Sequence, residues 1–246
     1  MALVFAHRGF SGIAPENTML AFREAIVRQK ADGIETDVQL SRDGVPMLIH
    51  DERVDRTTDQ KGFVRDYTCA ELQKMDARWK FGDSVPFQTI PTLAEFLDFM
   101  CEEKDFVSDI EMKTSIYDYP GLVEKVVGMV NERGLTDRVW YSSFNHYSMK
   151  AVKELCPKAV CGLLLECWIV GIGQYGNRVG ADTINGFTSY FSEDIVREIH
   201  EHNMKALVWT PNETDDMVQL LHNGVDVLIT NFPDRGQEAV RLAARR

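Results

Sequence analysis

Two short segments of the chain carry charged side chains at alternate positions. In GIETDVQ, residues 33–39, a strand would put Glu35 and Asp37 on one face, because side chains along a strand repeat with a period of two. In FVSDIEMK, residues 106–113, the same period aligns Asp109, Glu111 and Lys113. Two carboxylates about 5 Å apart, at an effective dielectric of about 20, repel by about 3 kcal/mol. Inward-facing acids in such numbers need a counter-charge. A hard divalent cation supplies one, since Mg²⁺ and Ca²⁺ prefer carboxylate oxygens; a buried network of ion pairs with Arg or Lys is the other solution. The pattern alone leaves both open.

Two histidines stand where such a site could use them. His7 ends the apolar run from Leu3 to Ala6 and is followed by Arg8-Gly9; His50 ends Met47-Leu48-Ile49 and is followed by Asp51. Imidazoles at the C-terminal ends of strands can act as general base and general acid near neutral pH. The other four, His146, His200, His202 and His222, fall in helical segments and read as structural or surface residues. Arg8 is a cationic focus suited to bidentate contact with phosphate oxygens.

Eight apolar runs would position these groups: 3–6, 33–39, 106–111, 139–142, 160–165, 183–186, 205–209 and 225–230. Segments of helical period lie between many of them. Residues 18–29 place Ala21, Phe22, Ala25 and Ile26 on one face, with Asn17 as the expected cap. Residues 92–100 begin with a capping box, Thr92 and Glu95. Further helices fit 120–132, 146–155, 193–202, 215–222 and 234–243. Alternating βα units predict an α/β fold, a (β/α)₈ TIM barrel, in a single domain spanning 1–246. An open doubly wound sheet is the alternative, but the glycine fingerprint expected after its first strand is absent. Gly44 is a candidate hairpin turn between Val38 and Met47. From about Glu52 to Pro91 no complete βα unit can be drawn, which predicts an insertion on the C-terminal rim.

Composition narrows the function. With 27 Lys and Arg against 38 Asp and Glu, the formal charge is −11, which repels nucleic acid and anionic bilayers at long range. Neither nucleic-acid binding nor stable membrane association is expected. The five cysteines form no CxxC pair and read as reduced thiols. MALVFAHRG has no basic segment ahead of its short apolar run, and no stretch is long enough to span a bilayer, so a cytoplasmic enzyme is expected.

The motifs His7-Arg8-Gly9, Pro15-Glu16-Asn17-Thr18, Glu35-Thr36-Asp37-Val38, His50-Asp51 and Ile110-Glu111-Met112-Lys113, in this order and spacing, closely resemble the glycerophosphodiester phosphodiesterase family. The resemblance continues through Ile90-Pro91-Thr92-Leu93, Ser142-Ser143-Phe144, Val208-Trp209-Thr210 and Thr230-Asn231-Phe232-Pro233. It implies a TIM barrel with the insertion roofing the site. It also implies one divalent cation, Mg²⁺, Ca²⁺ or Mn²⁺, held by Glu35, Asp37 and Glu111, with Arg8 and Lys113 near the phosphate of a small glycerophosphodiester. His7 would accept a proton and His50 donate one. Two departures stand out: Asp109, where relatives commonly have an uncharged amide, adds negative charge behind the metal, and Pro211 follows Trp209-Thr210. Trp79, Phe81, Phe87 and Trp209 are candidates for an apolar wall against the substrate carbons. A lysophospholipase D-like activity would need a membrane-facing apolar loop or a basic amphipathic helix, and neither is evident in the sequence. A noncatalytic barrel binding phosphorylated polyols is the remaining alternative.

Overall fold

Strand β2, Gly33–Leu40, is buried at all its positions, and its two faces differ sharply in chemistry. Ile34 and Val38 join the main apolar core with Phe22, Leu97 and Phe96 from the surrounding helices. Glu35, Asp37 and Gln39 occupy the other face and are equally buried. A strand covered on both sides in this way is what a barrel requires. The computed structural model, which describes residues 2–78 and 80–245, shows the barrel closed.

Its eight parallel strands are β1 (Leu3–His7), β2, β4 (Val107–Met112), β5 (Val139–Ser143), β6 (Val160–Leu165), β7 (Thr183–Phe187), β8 (Lys205–Trp209) and β9 (Val227–Thr230), with β1 pairing to both β9 and β2. The register sets Glu35 opposite Asp109 and Asp37 opposite Glu111, while His7 lies opposite Glu35. The acids foreseen on two separate strands therefore form one patch. A short antiparallel strand, β3 (Pro46–Leu48), folds back on β2 through Gly44, whose φ of 76° suits a residue without Cβ. Its register sets Leu48 opposite Val38 and Met47 opposite Gln39, so Gly44 lies in the turn between Val38 and Met47 as expected.

Nine helices are described: α1 (Met19–Arg23, continuing as a π-helical turn to Arg28), α2 (Cys69–Leu72), α3 (Leu93–Glu102), α4 (Leu122–Glu132), α5 (His146–Leu155), α6 (Ile172–Val179), α7 (Glu193–Glu201), α8 (Thr214–His222) and α9 (Pro233–Ala243). The capping box of α3 is present, with Thr92 Oγ1 accepting from Glu95 N and Glu95 Oε2 accepting from Thr92 N. Asn17 is not the cap of α1. Thr18 takes that role, and Asn17 turns inward at φ 53°. Helix α6 is not evident from the sequence, because glycines at 171, 173, 176 and 180 depress helix propensity. Tertiary packing overrides it: a Cβ on Gly173 or Gly176 would run into His202 or Met204.

Residues 52–91 fold into short 3₁₀ turns and α2, and make a small apolar core of their own. Val54, Val64, Leu72, Met75, Ala77 and Ile90 pack there with Met47 and Ile49.

Candidate functional site

A cleft of about 450 Å³ is lined by His7, Arg8, Glu35, His50, Asp109, Glu111, Ser142, Phe144, Leu164, Glu166, Trp209 and Ile229. Its histidines stand at the ends of β1 and β3, and Glu35 and Glu111 rise from the interior faces of β2 and β4. The chemistry thus gathers at the C-terminal end of the parallel strands, where barrels hold their loops.

His7 is held by Asn231 at the end of β9, with Nδ1 at 2.6 Å from Asn231 Oδ1. An amide oxygen only accepts, so Nδ1 carries the proton and Nε2 is left as the acceptor, 3.8 Å from Glu35 Oε2. Burial, reinforced by the neighbouring Arg8 charge, lowers the His7 pKa to about 3, which keeps the ring neutral. His50 is fixed from outside the cleft: its Nδ1 donates to Asp51 Oδ1 at 2.7 Å. Below it, Gln39 Nε2 reaches the carbonyls of Ile49, His50 and Asp51 at 2.8–3.1 Å, and Gln39 Oε1 accepts from the Tyr119 hydroxyl at 2.9 Å.

The carboxylates differ in their partners. Desolvation pushes the Asp37 carboxyl upward, but Arg8, His50, Lys113 and the amide of Asn17 outweigh it and hold the group well below the usual carboxylate range. Arg8 Nε lies 3.3 Å from Asp37 Oδ2, and Asn17 Nδ2 donates to the same oxygen at 2.8 Å. Glu35 is pushed well above its ordinary value by burial and by the Asp37 charge. Glu111 is raised chiefly by burial, against the pull of Lys113, whose Nζ stands 2.9 Å from Glu111 Oε1. Asp109 is pushed up to about 7, again by burial first. Its neutral form is therefore strongly populated, which tempers the extra negative charge expected from it.

These residues fit a divalent cation. Asp37 Oδ1 is buried and accepts no hydrogen bond, and Glu111 Oε1, also buried, has the Lys113 ammonium at 2.9 Å. Asp37, Glu111 and His50 each offer a ligand atom within 4.8 Å of the others, the spacing of donors around a single ion. Glu35, expected as the third ligand, leans instead toward His7 and the Arg8 amide, whose N–H lies 3.2 Å from Glu35 Oε2. Ionised Glu35 would be stabilised by the same positive charge that the other acids attract.

Not every expectation converged on the cleft. Arg8 lines it, but its guanidinium is shared with Glu16 and Asp37. Lys113 is not among the lining residues, and its ammonium stands 2.9 Å from Glu111 Oε1 and 4.0 Å from Asp37 Oδ1. Trp209 lines the cleft, with Phe144 as its edge-to-face partner at 5.9 Å. Phe81 lines a separate recess beside Glu16 and Arg56, Phe87 is exposed, and Trp79 lies outside the described residues. Apolar side chains are also exposed in the loop after β6, at Trp168 and Val170. Ring contacts run from Trp168 to Tyr190, Phe187, Trp209 and Phe144, with centroids 5.2–6.2 Å apart. No helix among the described residues is long and apolar enough to cross a membrane.

Comparison with known proteins agrees with the barrel and the motifs. Residues 7–235 match the model of the glycerophosphoryl diester phosphodiesterase family. A glycerophosphodiester phosphodiesterase of Caldanaerobacter subterraneus subsp. tengcongensis is 41% identical over 94% of this chain and 95% of its own length. Another, from Bacillus altitudinis, is 39% identical over 96% of both chains. Among solved structures, an Oleispira antarctica phosphodiesterase in complex with the product sn-glycerol-3-phosphate superposes with a TM-score of 0.86 at 28% identity, covering 97% of this chain and 96% of that one. The chain belongs to the glycerophosphoryl diester phosphodiesterase family.

Proposed function

We propose that the protein hydrolyses small glycerophosphodiesters to glycerol 3-phosphate and an alcohol, with the help of one divalent cation. The observation that carries the reading is the meeting of two independently braced imidazoles with Asp37, Glu111 and Glu35 in one cleft of a phosphodiesterase-family barrel. A resident cation, held by Asp37 and Glu111 with Glu35 as the third carboxylate, would neutralise phosphoryl charge. Carboxylate oxygen is the preferred donor for Mg²⁺ or Ca²⁺, which favours Glu35 over His50 for that place. Arg8 and Lys113 add fixed positive charge beside the phosphate.

His7, with Nε2 free to accept, removes the proton from the glycerol 2-hydroxyl as that oxygen bonds to phosphorus. The bond from phosphorus to the alcohol breaks, and His50 delivers a proton from Nε2 to the departing oxygen. Water then opens the cyclic glycerol phosphate, with the two histidines exchanging roles. Trp209 and Phe144 pack against substrate carbons. The likeness to a barrel that binds sn-glycerol-3-phosphate supports the identity of the retained product.

The aromatic path from exposed Trp168 through half-buried Tyr190 and exposed Phe187 to Trp209 favours a second reading, a lysophospholipase D-like phosphodiesterase whose substrate carries one apolar chain. One assay separates the readings: release of the alcohol from glycerophosphocholine and from monomeric lysophosphatidylcholine by wild type, His7→Ala and His50→Ala. The first reading expects faster turnover of glycerophosphocholine and a loss of about 10²-fold or more in either variant at unchanged folding. Preference for lysophosphatidylcholine would support the second. No release from either would favour a noncatalytic binder, and near-normal rates in a histidine variant would remove that histidine from the mechanism.

A further inference from the structure

Arg56, at the end of the 3₁₀ turn Val54–Arg56 in the insertion, is the common partner of two carboxylates from different loops. Its Nη1 and Nη2 meet the two oxygens of Glu16 at 2.6 and 2.7 Å. Its Nε and Nη2 meet the two oxygens of Asp51 at 2.7 and 2.9 Å. Each acid is thus held in bidentate fashion by one planar guanidinium, which fixes direction as well as distance.

Both acids lead directly to the cleft. Asp51 Oδ1 receives the Nδ1 proton of His50, and Glu16 Oε1 receives Arg8 Nη1 at 2.9 Å. Arg8 in turn faces Asp37. The charges alternate along the line Asp37, Arg8, Glu16, Arg56, Asp51, His50, and Arg56 is the member whose side chain is hydrogen-bonded to acids of both loops. The arrangement exceeds what an exposed ion pair needs: four of the five guanidinium N–H groups are used, and a half-exposed arginine is held by two acids that both reach inward.

We propose that Arg56 is a positioning residue that couples the His7-Arg8 loop to the His50-Asp51 turn, so that the insertion sets the geometry of both sides of the cleft. This rests on the reading of His50 as a proton-transfer group. Holding both Asp51 oxygens keeps Oδ1 aligned with His50 Nδ1, fixes the tautomer and points Nε2 inward. Holding Glu16 keeps Arg8 from collapsing fully onto Asp37. Lysine would keep the charge but, as a single ammonium, cannot bind both carboxylates in bidentate geometry.

The test combines steady-state kinetics on glycerophosphocholine with ¹⁵N-histidine NMR, on the full chain, for wild type, Arg56→Lys, Asp51→Asn and the double variant. Arg56→Lys should lower kcat by about tenfold or more with KM changed by less than about threefold, and the double variant should be no worse than the poorer single within about threefold. The His50 Nδ1 proton should be slowly exchanging in wild type and exchange rapidly in Arg56→Lys. Near-wild-type kcat in Arg56→Lys, or losses that multiply in the double variant, would overturn the coupling. Absence of turnover in wild type would instead count against the proposed activity, and the NMR comparison would still decide the coupling: a His50 signal unchanged by Arg56→Lys refutes it.

Discussion

Asn17 Nδ2 donates to Asp37 Oδ2 at 2.8 Å, and the same side chain accepts the Thr36 hydroxyl through Oδ1 at 2.7 Å. One amide, buried and held at positive φ, therefore ties the start of α1 to two successive residues of β2 and orients the most strongly ionised carboxylate of the cleft. Such outer partners set the direction of a metal-binding oxygen. Asn17→Ala should cost about 1–3 kcal/mol of stability, because the Thr36 hydroxyl is left buried without its acceptor. It should also raise the cation concentration needed for half-maximal activity by about 10–100-fold. Thermal melts and metal titrations matching wild type would contradict this role.

Gln39 holds the His50 turn in a comparable way. Three backbone carbonyls of the 49–51 turn converge on its Nε2, and Tyr119 closes its other end. Gln39→Ala should lose roughly 2–4 kcal/mol in urea unfolding, since it strips several buried groups at once. Tyr119→Phe removes one hydroxyl and should lose about 1 kcal/mol. Equal losses in the two variants would show that the turn is held by something else.

The interior position of Glu35, Asp37, Asp109 and Glu111 was legible in the sequence, because strand alternation is a local rule that the barrel register preserved. The two histidines were legible for the same reason, as ends of apolar runs. The residues that brace them were not. Asn17 sits where a helix cap is expected, and only the packed structure shows Thr18 taking the cap. Arg56 meets Glu16 across 40 positions of sequence, and no periodicity encodes such a contact. Helix α6 was hidden by glycines whose value lies in close packing against His202 and Met204. The exposure of Trp168 is not legible in the sequence, because apolar residues in a short loop resemble core there.

Asp109 makes a pH-dependent prediction with a definite sign. Burial, with smaller contributions from Glu111 and Asp37, raises its folded pKa to about 7, above the unfolded value of about 4. Between those values the native state retains a proton that the unfolded chain releases. Its stabilising contribution is therefore complete below about pH 4 and is lost as pH rises through about 7. An asparagine there resembles the neutral acid at every pH. In EDTA, the stability of Asp109→Asn relative to wild type should grow by about 2–4 kcal/mol from pH 4 to pH 7.5 and then level off. Parallel stability curves for the two proteins across that range would contradict a buried, proton-retaining Asp109.

The central claim is that the acids of the cleft serve a cation that drives hydrolysis. Its most direct measurement is the release of glycerol 3-phosphate and choline from glycerophosphocholine by protein stripped with EDTA, followed by readdition of Mg²⁺, Ca²⁺ or Mn²⁺. Stripped protein should be inactive and at least one ion should restore it. Glu35→Gln, Asp37→Asn and Glu111→Gln should each need about tenfold more ion or fail to respond. Full turnover in EDTA, or unchanged ion activation in all three variants, would contradict the account.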